Sequence, residues 1–127
     1  LMKLFLMIRP NKVFLGEKDY QQLELVKGMV NAFHMGIEIV GCPTIRESDG
    51  LAMSSRNKNL TPSQRREAPK FFELLSKRGD DSQISEELVR CGFEVDYVVS
   101  RKDRRYGAVT LGSNGNKVRL IDNVVLR

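Results

Sequence analysis

Asp49-Gly50-Leu51-Ala52-Met53-Ser54-Ser55-Arg56-Asn57 sets two hydroxyls and a fixed cation in a short polar loop behind an Asp-Gly pair. Hydroxyls and backbone N–H groups donate to phosphate oxygens, and a guanidinium grips two of them at once. Upstream, Gly16-Glu17-Lys18-Asp19-Tyr20-Gln21-Gln22 sets a lysine beside a glycine at a helix start. Acids normally favour that position, so Lys18 asks for an anionic partner, and a phosphate would satisfy both the lysine and the helix end. Taken alone, the first segment reads as a polar linker and the second as a solvated first turn. Their succession is the informative feature, and it predicts a nucleotide phosphate site.

Other polar residues read more plainly. His34 is the one histidine and falls at a helix end, where a surface role is expected. Asp19, Glu47 and Asp49 are carboxylates in polar segments, expected to be solvated rather than gathered round Mg²⁺. Arg119 and Asp122 read as structural charge. Arg101-Lys102-Asp103-Arg104-Arg105 supplies much of the net charge of +5 and reads as an exposed basic loop. No aromatic interleaving makes it a nucleic-acid platform.

The elements that must position these groups follow from the hydrophobic pattern. Leu1 to Ile8 reads as a buried apolar helix closed by Pro10-Asn11, and not as a signal segment. A start at Leu1 is not expected of a natural translation start. Lys12 to Leu15, ending at Gly16, and Ile37 to Cys42, ending at Pro43, read as buried parallel strands. Between them Leu23, Val26, Val30 and Phe33 recur at helical spacing, with Asp19 as cap and Gly36 as stop. Strand, helix and strand make a βαβ unit, and ligands of open α/β sheets bind at the carboxyl ends of the strands. Both polar segments come after such ends.

Beyond the loop, Thr61-Pro62-Ser63-Gln64 predicts a capped helix start. Pro69 interrupts that helix or begins another. Phe71, Phe72, Leu74 and Leu75 supply an apolar face. Asp81 is expected to cap a helix running to about Cys91, with Gly92 at its end. Phe93, Val95, Tyr97 and Val99 alternate with Glu94, Asp96 and Val98 as a strand with one buried face. Ala108 to Leu111 and Lys117 to Ile121 flank Ser113-Asn114-Gly115-Asn116, a hairpin signal. Cys42 and Cys91 lack metal-like spacing and read as free reduced thiols, consistent with a cytoplasmic protein. No apolar run is long enough to span a bilayer.

Four blocks together name a family. Gly16-Glu17-Lys18-Asp19-Tyr20-Gln21-Gln22-Leu23, Pro43-Thr44-Ile45-Arg46-Glu47, the segment from Asp49 to Asn57, and Arg119-Leu120-Ile121-Asp122-Asn123 closely resemble pantothenate synthetase (pantoate–β-alanine ligase). The matches are in order and run from Lys3-Leu4-Phe5 to the last residues. The resemblance implies an α/β fold: the C-terminal part of a Rossmann-like nucleotidylyl transferase domain over residues 1–44, then a small α+β lid domain with an antiparallel sheet over 45–127. It implies an ATP-dependent ligase of pantothenate biosynthesis, in which pantoate attacks ATP to give pantoyl adenylate and β-alanine then displaces AMP. ATP is a substrate accompanied by Mg²⁺, and the complete enzyme is expected to be a cytoplasmic homodimer with no nucleic-acid or membrane partner.

Carried over by motif, Gly16, Glu17, Lys18 and Asp19 would contact ATP, with Lys18 near the transferring phosphate. Gln22 would hydrogen-bond pantoate, and Ile45 would line the adenine pocket. Met53, Ser54, Ser55 and Arg56 would be the counterpart of the KMSKS loop, with Asp49-Gly50 as a hinge. The family's His-x-Gly-His block is not in this sequence, so the chain is expected to be inactive by itself. The stretch from Ala68 to Glu94 departs from the family pattern, and Pro69 stands in a helix that the family keeps continuous. Two other readings explain fewer of the blocks: another nucleotidylyl transferase or adenylate-forming ligase of the same superfamily, and a basic nucleic-acid-binding module.

Overall fold

The computed structural model describes residues 1–126. The chain divides into two compact units, Leu1–Thr44 and Ile45–Arg127, the last residue lying outside the described ones.

The first unit holds helix α1 (Met2–Ile8), strand β1 (Lys12–Gly16), a 3-10 turn over Glu17–Asp19, helix α2 (Tyr20–Ala32) and strand β2 (Glu38–Cys42). β1 and β2 pair in parallel, from Lys12 opposite Glu38 to Gly16 opposite Cys42. Period-two alternation sends Val13, Leu15 and Ile39 to one face, where they meet Phe5 of α1 and Val26 and Val30 of α2. The pattern called for buried strands, yet both are only half-buried, because a pair of strands covered on one side leaves the other open. Phe14 on that open face is 66% exposed. The opening helix is likewise corrected: it buries Phe5 alone, while Leu4, Leu6, Met7 and Ile8 are exposed. Phe33 lies outside α2 as its C-terminal cap and is exposed too. His34, also exposed, comes next in the left-handed region at φ +48°.

The second unit is an antiparallel sheet of β3 (Glu94–Arg101), β4 (Arg104–Leu111) and β5 (Val118–Val125), in that order, with helices α3 (Pro62–Glu67), α4 (Pro69–Leu75) and α5 (Asp81–Arg90). Phe71, Leu74 and Leu75 of α4 and Ile84 and Leu88 of α5 share one core with Phe93, Val109, Leu111, Val118, Leu120 and Val124. Thr61 and Gln64 form the expected reciprocal capping box on α3. Pro69 takes the first position of a new helix, where its missing N–H costs nothing.

Three expectations are corrected in this unit. Asp80, not Asp81, caps α5, paired with Gln83 in a second capping box. Strand β3 does not alternate throughout, since a bulge between Val95 and Tyr97 inserts Asp96. One extra residue reverses the facing of the rest of the strand, so Tyr97 turns outward and Val98 packs on the core. The basic cluster is no loop: Arg101 ends β3, Lys102-Asp103 make the turn, and Arg104-Arg105 open β4. Arg105 is buried at 3% exposure. It donates to Asp81 at 3.0 Å and to the carbonyls of Leu75, Lys77 and Gly79 at 3.1, 2.8 and 2.5 Å. Asp81, released from capping, also accepts from the Ser100 backbone and hydroxyl at 2.6 Å each. Burial raises the cost of its charge, but the bonds from Ser100 and Arg105 outweigh it and hold the carboxyl below its ordinary value.

Candidate functional site

The first unit carries one group of the predicted residues. β1 ends at Gly16, the 3-10 turn holds Glu17, Lys18 and Asp19, and Gln22 lies in the first turn of α2. Asp19 caps that helix by accepting from the Gln22 backbone N–H at 3.4 Å. Gly16 has ordinary extended geometry (φ −68°), and an added Cβ would meet open space. Its value is the open approach to backbone rather than a special conformation. Glu17 lies over Gly41 of β2, where a Cβ would come within 3.1 Å of its Oε1. The turn is thereby seated on the carboxyl end of both strands. Lys18 is half-buried, and Gln22 is exposed.

The second group sits on a braced hairpin in the second unit. Arg46 and Ala52 form an antiparallel bridge. Around it Met53 N–H donates to Ile45 O at 2.9 Å, and Glu47 N–H donates to Leu51 O at 2.8 Å. Ile45 and Met53 are therefore cross-strand neighbours on one face, and they are 66% and 48% exposed. Two apolar side chains held side by side at the surface, next to a polar loop, suit a flat heteroaromatic ring.

Two locks fix this hairpin. Asp49 Oδ1 accepts from Leu51 N–H at 3.2 Å, and its Oδ2 accepts from Arg65 at 2.6 Å. The Arg65 bond is the main reason that the Asp49 carboxyl lies below its ordinary value. Gly50 sits at φ +90°, and a Cβ there would come 2.7 Å from the Phe72 ring, so glycine is required on both counts. The other lock is Arg46. It donates to both oxygens of Asp122 at 2.6 and 3.0 Å and to Gly50 O at 3.1 Å, with its guanidinium 3.8 Å from the Phe72 centroid. Asp122 lies on β5 with its side chain only 2% exposed, so a buried, bidentate pair ties the loop base to the sheet.

From that base the chain runs to Ser54, whose Oγ accepts from Arg56 N–H at 3.3 Å and caps the short 3-10 helix Ser55–Asn59. The hydroxyl accepts there, and its O–H remains a donor for a ligand. Ser55 and Arg56 are exposed. Asn57 Nδ2 donates to Ala52 O at 3.1 Å, while its buried Oδ1 has no partner among the described residues. The structure thus gathers Gly16, Glu17, Lys18, Asp19 and Gln22 in one unit and Ile45, Met53, Ser54, Ser55 and Arg56 in the other. Sequence reasoning gave no role to Arg46 or Asn57. Both lie inside the four motif blocks, which was the one signal for them. Among the described residues no three His, Cys, Asp or Glu side chains gather as a metal ion would need.

A family model described as Pantoate-beta-alanine ligase matches residues 1–125. The chain is 48% identical to the pantothenate synthetase of Legionella pneumophila strain Corby over 125 residues, covering 98% of this chain and 48% of that protein. It is 50% identical to the pantothenate synthetase of Bdellovibrio bacteriovorus over 123 residues, covering 97% of this chain and 47% of that protein. Among solved structures it resembles the pantoate-beta-alanine ligase of Francisella tularensis, complexed with β,γ-ATP and β-alanine. The TM-score is 0.84 and the identity 38%, over 98% of this chain and 47% of that one. The chain spans about half the length of the curated relatives it matches.

Proposed function

The chain belongs to the pantoate–β-alanine ligase family, and from that membership we propose that it supplies one half of an ATP-dependent ligase condensing pantoate with β-alanine. The observation that carries the reading is the likeness over 98% of this chain to a ligase solved with an ATP ligand and β-alanine. In the first step a pantoate carboxylate oxygen attacks the α-phosphorus of ATP, and pyrophosphate leaves. In the second the β-alanine amine attacks the acyl carbon of the adenylate, and AMP leaves with pantothenate as product.

The residues divide this work by chemistry. Ile45 and Met53 hold the adenine between apolar side chains. Ser54, Ser55 and Arg56 donate to the phosphates. Lys18 stands at the transferring phosphate and offsets the negative charge that builds as the bond to pyrophosphate breaks, with Gly16, Glu17 and Asp19 completing the turn that meets ATP. Gln22, exposed one turn into α2, hydrogen-bonds pantoate. Such displacement needs positioning and charge stabilisation more than covalent help. Mg²⁺ would accompany ATP as the counter-ion of the triphosphate. Residues 1–44 act as part of a Rossmann-like substrate domain and residues 45–127 as its lid, in a cytoplasmic enzyme that pairs with a second copy.

Two assays test the reading. The 127 residues alone should give no pantoate-dependent AMP, and a rate near that of a full-length relative would contradict this. In a full-length ligase carrying these residues, Lys18→Ala should slow pantoyl adenylate formation by about 10²–10³-fold, the range for losing one preorganised donor to developing charge. An unchanged rate would show the lysine to be structural. If pyrophosphate release instead depended on another acid and not on pantoate, a sister adenylate-forming activity would replace this one.

A further inference from the structure

Among the described residues, Asn57 carries the one buried side-chain polar atom without a hydrogen-bond partner, its Oδ1. The other end of the same amide is engaged, with Nδ2 donating to Ala52 O at 3.1 Å. That bond closes a loop whose interior is Met53, Ser54, Ser55 and Arg56 and nothing else. The Asn57 backbone tightens the same loop, its N–H donating to Ser54 O at 3.1 Å. Ala52 is 4% exposed and pairs with Arg46 in the braced hairpin. One end of the segment is thus fixed by the hairpin and the other by a single side chain, while Met53, Ser55 and Arg56 stay exposed between them.

We propose that Asn57 is a positioning residue for ATP: its amide holds the Met53–Arg56 segment in the shape that meets the nucleotide, and it touches no substrate itself. The inference rests on the ligase reading for the identity of that nucleotide. Two observations favour a role in function over one in stability alone. An unmatched buried acceptor offsets what the bond from Nδ2 gains, so the amide is a poor choice for packing. A leucine, branched at Cγ like asparagine, would be buried without an unmatched polar atom of its own. The segment also has few other ties. Met53 N–H donates to Ile45 O and Arg56 N–H to Ser54 Oγ. The N–H groups of Ser54 and Ser55 donate to nothing among the described residues, and none of the four side chains hydrogen-bonds outside the segment there. Its shape is set by Met53 at one end and Asn57 at the other.

The variant that separates the two roles is Asn57→Leu. It exchanges one unmatched acceptor, Asn57 Oδ1, for another, Ala52 O, so the melting temperature of the 127-residue chain should not move. Amides of residues 53–57 should nevertheless exchange with solvent faster, with no change at Val109 and Leu120 in the sheet. In a full-length ligase carrying these residues, the same substitution should raise the KM for ATP at least about tenfold, since misplacing a contacting group by an ångström costs up to about 10²-fold. The KM values for pantoate and β-alanine should stay where they are. Unaltered exchange at 53–57, or an unaltered KM for ATP, would overturn the proposal. So would a lower melting temperature with all three KM values rising together, the mark of a purely structural residue. Exchange is read without substrate, so an unsubstituted enzyme lacking pantoate-dependent turnover would sink the ligase reading while the exchange result still decides whether Asn57 ties the segment.

Discussion

The two units bury their apolar residues very differently. In the second, α4 and α5 close over a three-stranded sheet, and Phe71, Leu75, Leu88 and Val109 are all at most 1% exposed. In the first, the pair of strands is covered on one face only, and Leu4, Met7, Ile8, Phe14, Leu25 and Phe33 all lie open. The contrast separates two ways of holding a residue proposed to bind phosphate. Ser54 and Arg56 stand on a hairpin braced by a complete core, whereas Lys18 stands on a turn seated on two half-covered strands.

Substitutions in each unit test that difference. The largest effect is expected at Phe71: Phe71→Ala should lower the stability of the second unit by about 4 kcal/mol, read from denaturant unfolding by circular dichroism. A loss below about 1 kcal/mol would show its core to be no better packed than that of the first unit. Asp122→Ala leaves Arg46 facing Phe72 without its carboxylate and should cost about 3 kcal/mol. Paired with Arg46→Ala in a double-mutant cycle it should be strongly non-additive, and additive losses would remove the pair as the brace of the loop.

Gly50→Ala meets both a positive φ and the Phe72 ring and should cost about 2 kcal/mol. A neutral result would show that the turn yields easily. At the small end, Phe14→Gln should change stability by less than about 0.5 kcal/mol, since Phe14 is two-thirds open. A large loss would mean that its face is packed after all.

Acid should also act on the second unit. The folded pKa of Asp81 is depressed, so its contribution is complete above the unfolded carboxylate value and is lost as pH falls through the folded one. Asp81→Asn should flatten that acid limb of a pH–stability profile. An unaltered limb would detach Asp81 from it.

Local chemistry was legible in the sequence where the deciding contact was local. The Thr61–Gln64 box, the helix start at Pro69 and the Asp19 cap are each set within three residues. Asp80 was missed in favour of its neighbour although Gln83 three residues on marked it. Alternation failed in β3 because one bulged residue reverses it and leaves no compositional trace. Arg105 looked like one more surface charge, because the carbonyls of Leu75, Lys77 and Gly79 that bury it lie more than 25 residues away. The same limit holds at the site. Ser54 and Arg56 announce themselves by type and spacing, but the Arg46–Asp122 brace spans 76 residues and no local signal predicts it. The exposed strand face in the first unit went unread for a related reason, since an apolar run signals burial without saying what supplies the cover.

Everything proposed for catalysis depends on Lys18 and the Met53–Arg56 segment serving the same bound nucleotide. Hydrogen exchange of the 127-residue chain across an ATP titration tests this most directly. Amides of residues 17–22 and 53–57 should become protected together, with one shared half-saturating ATP concentration. Protection of a single segment, or of both at different concentrations, would contradict the account.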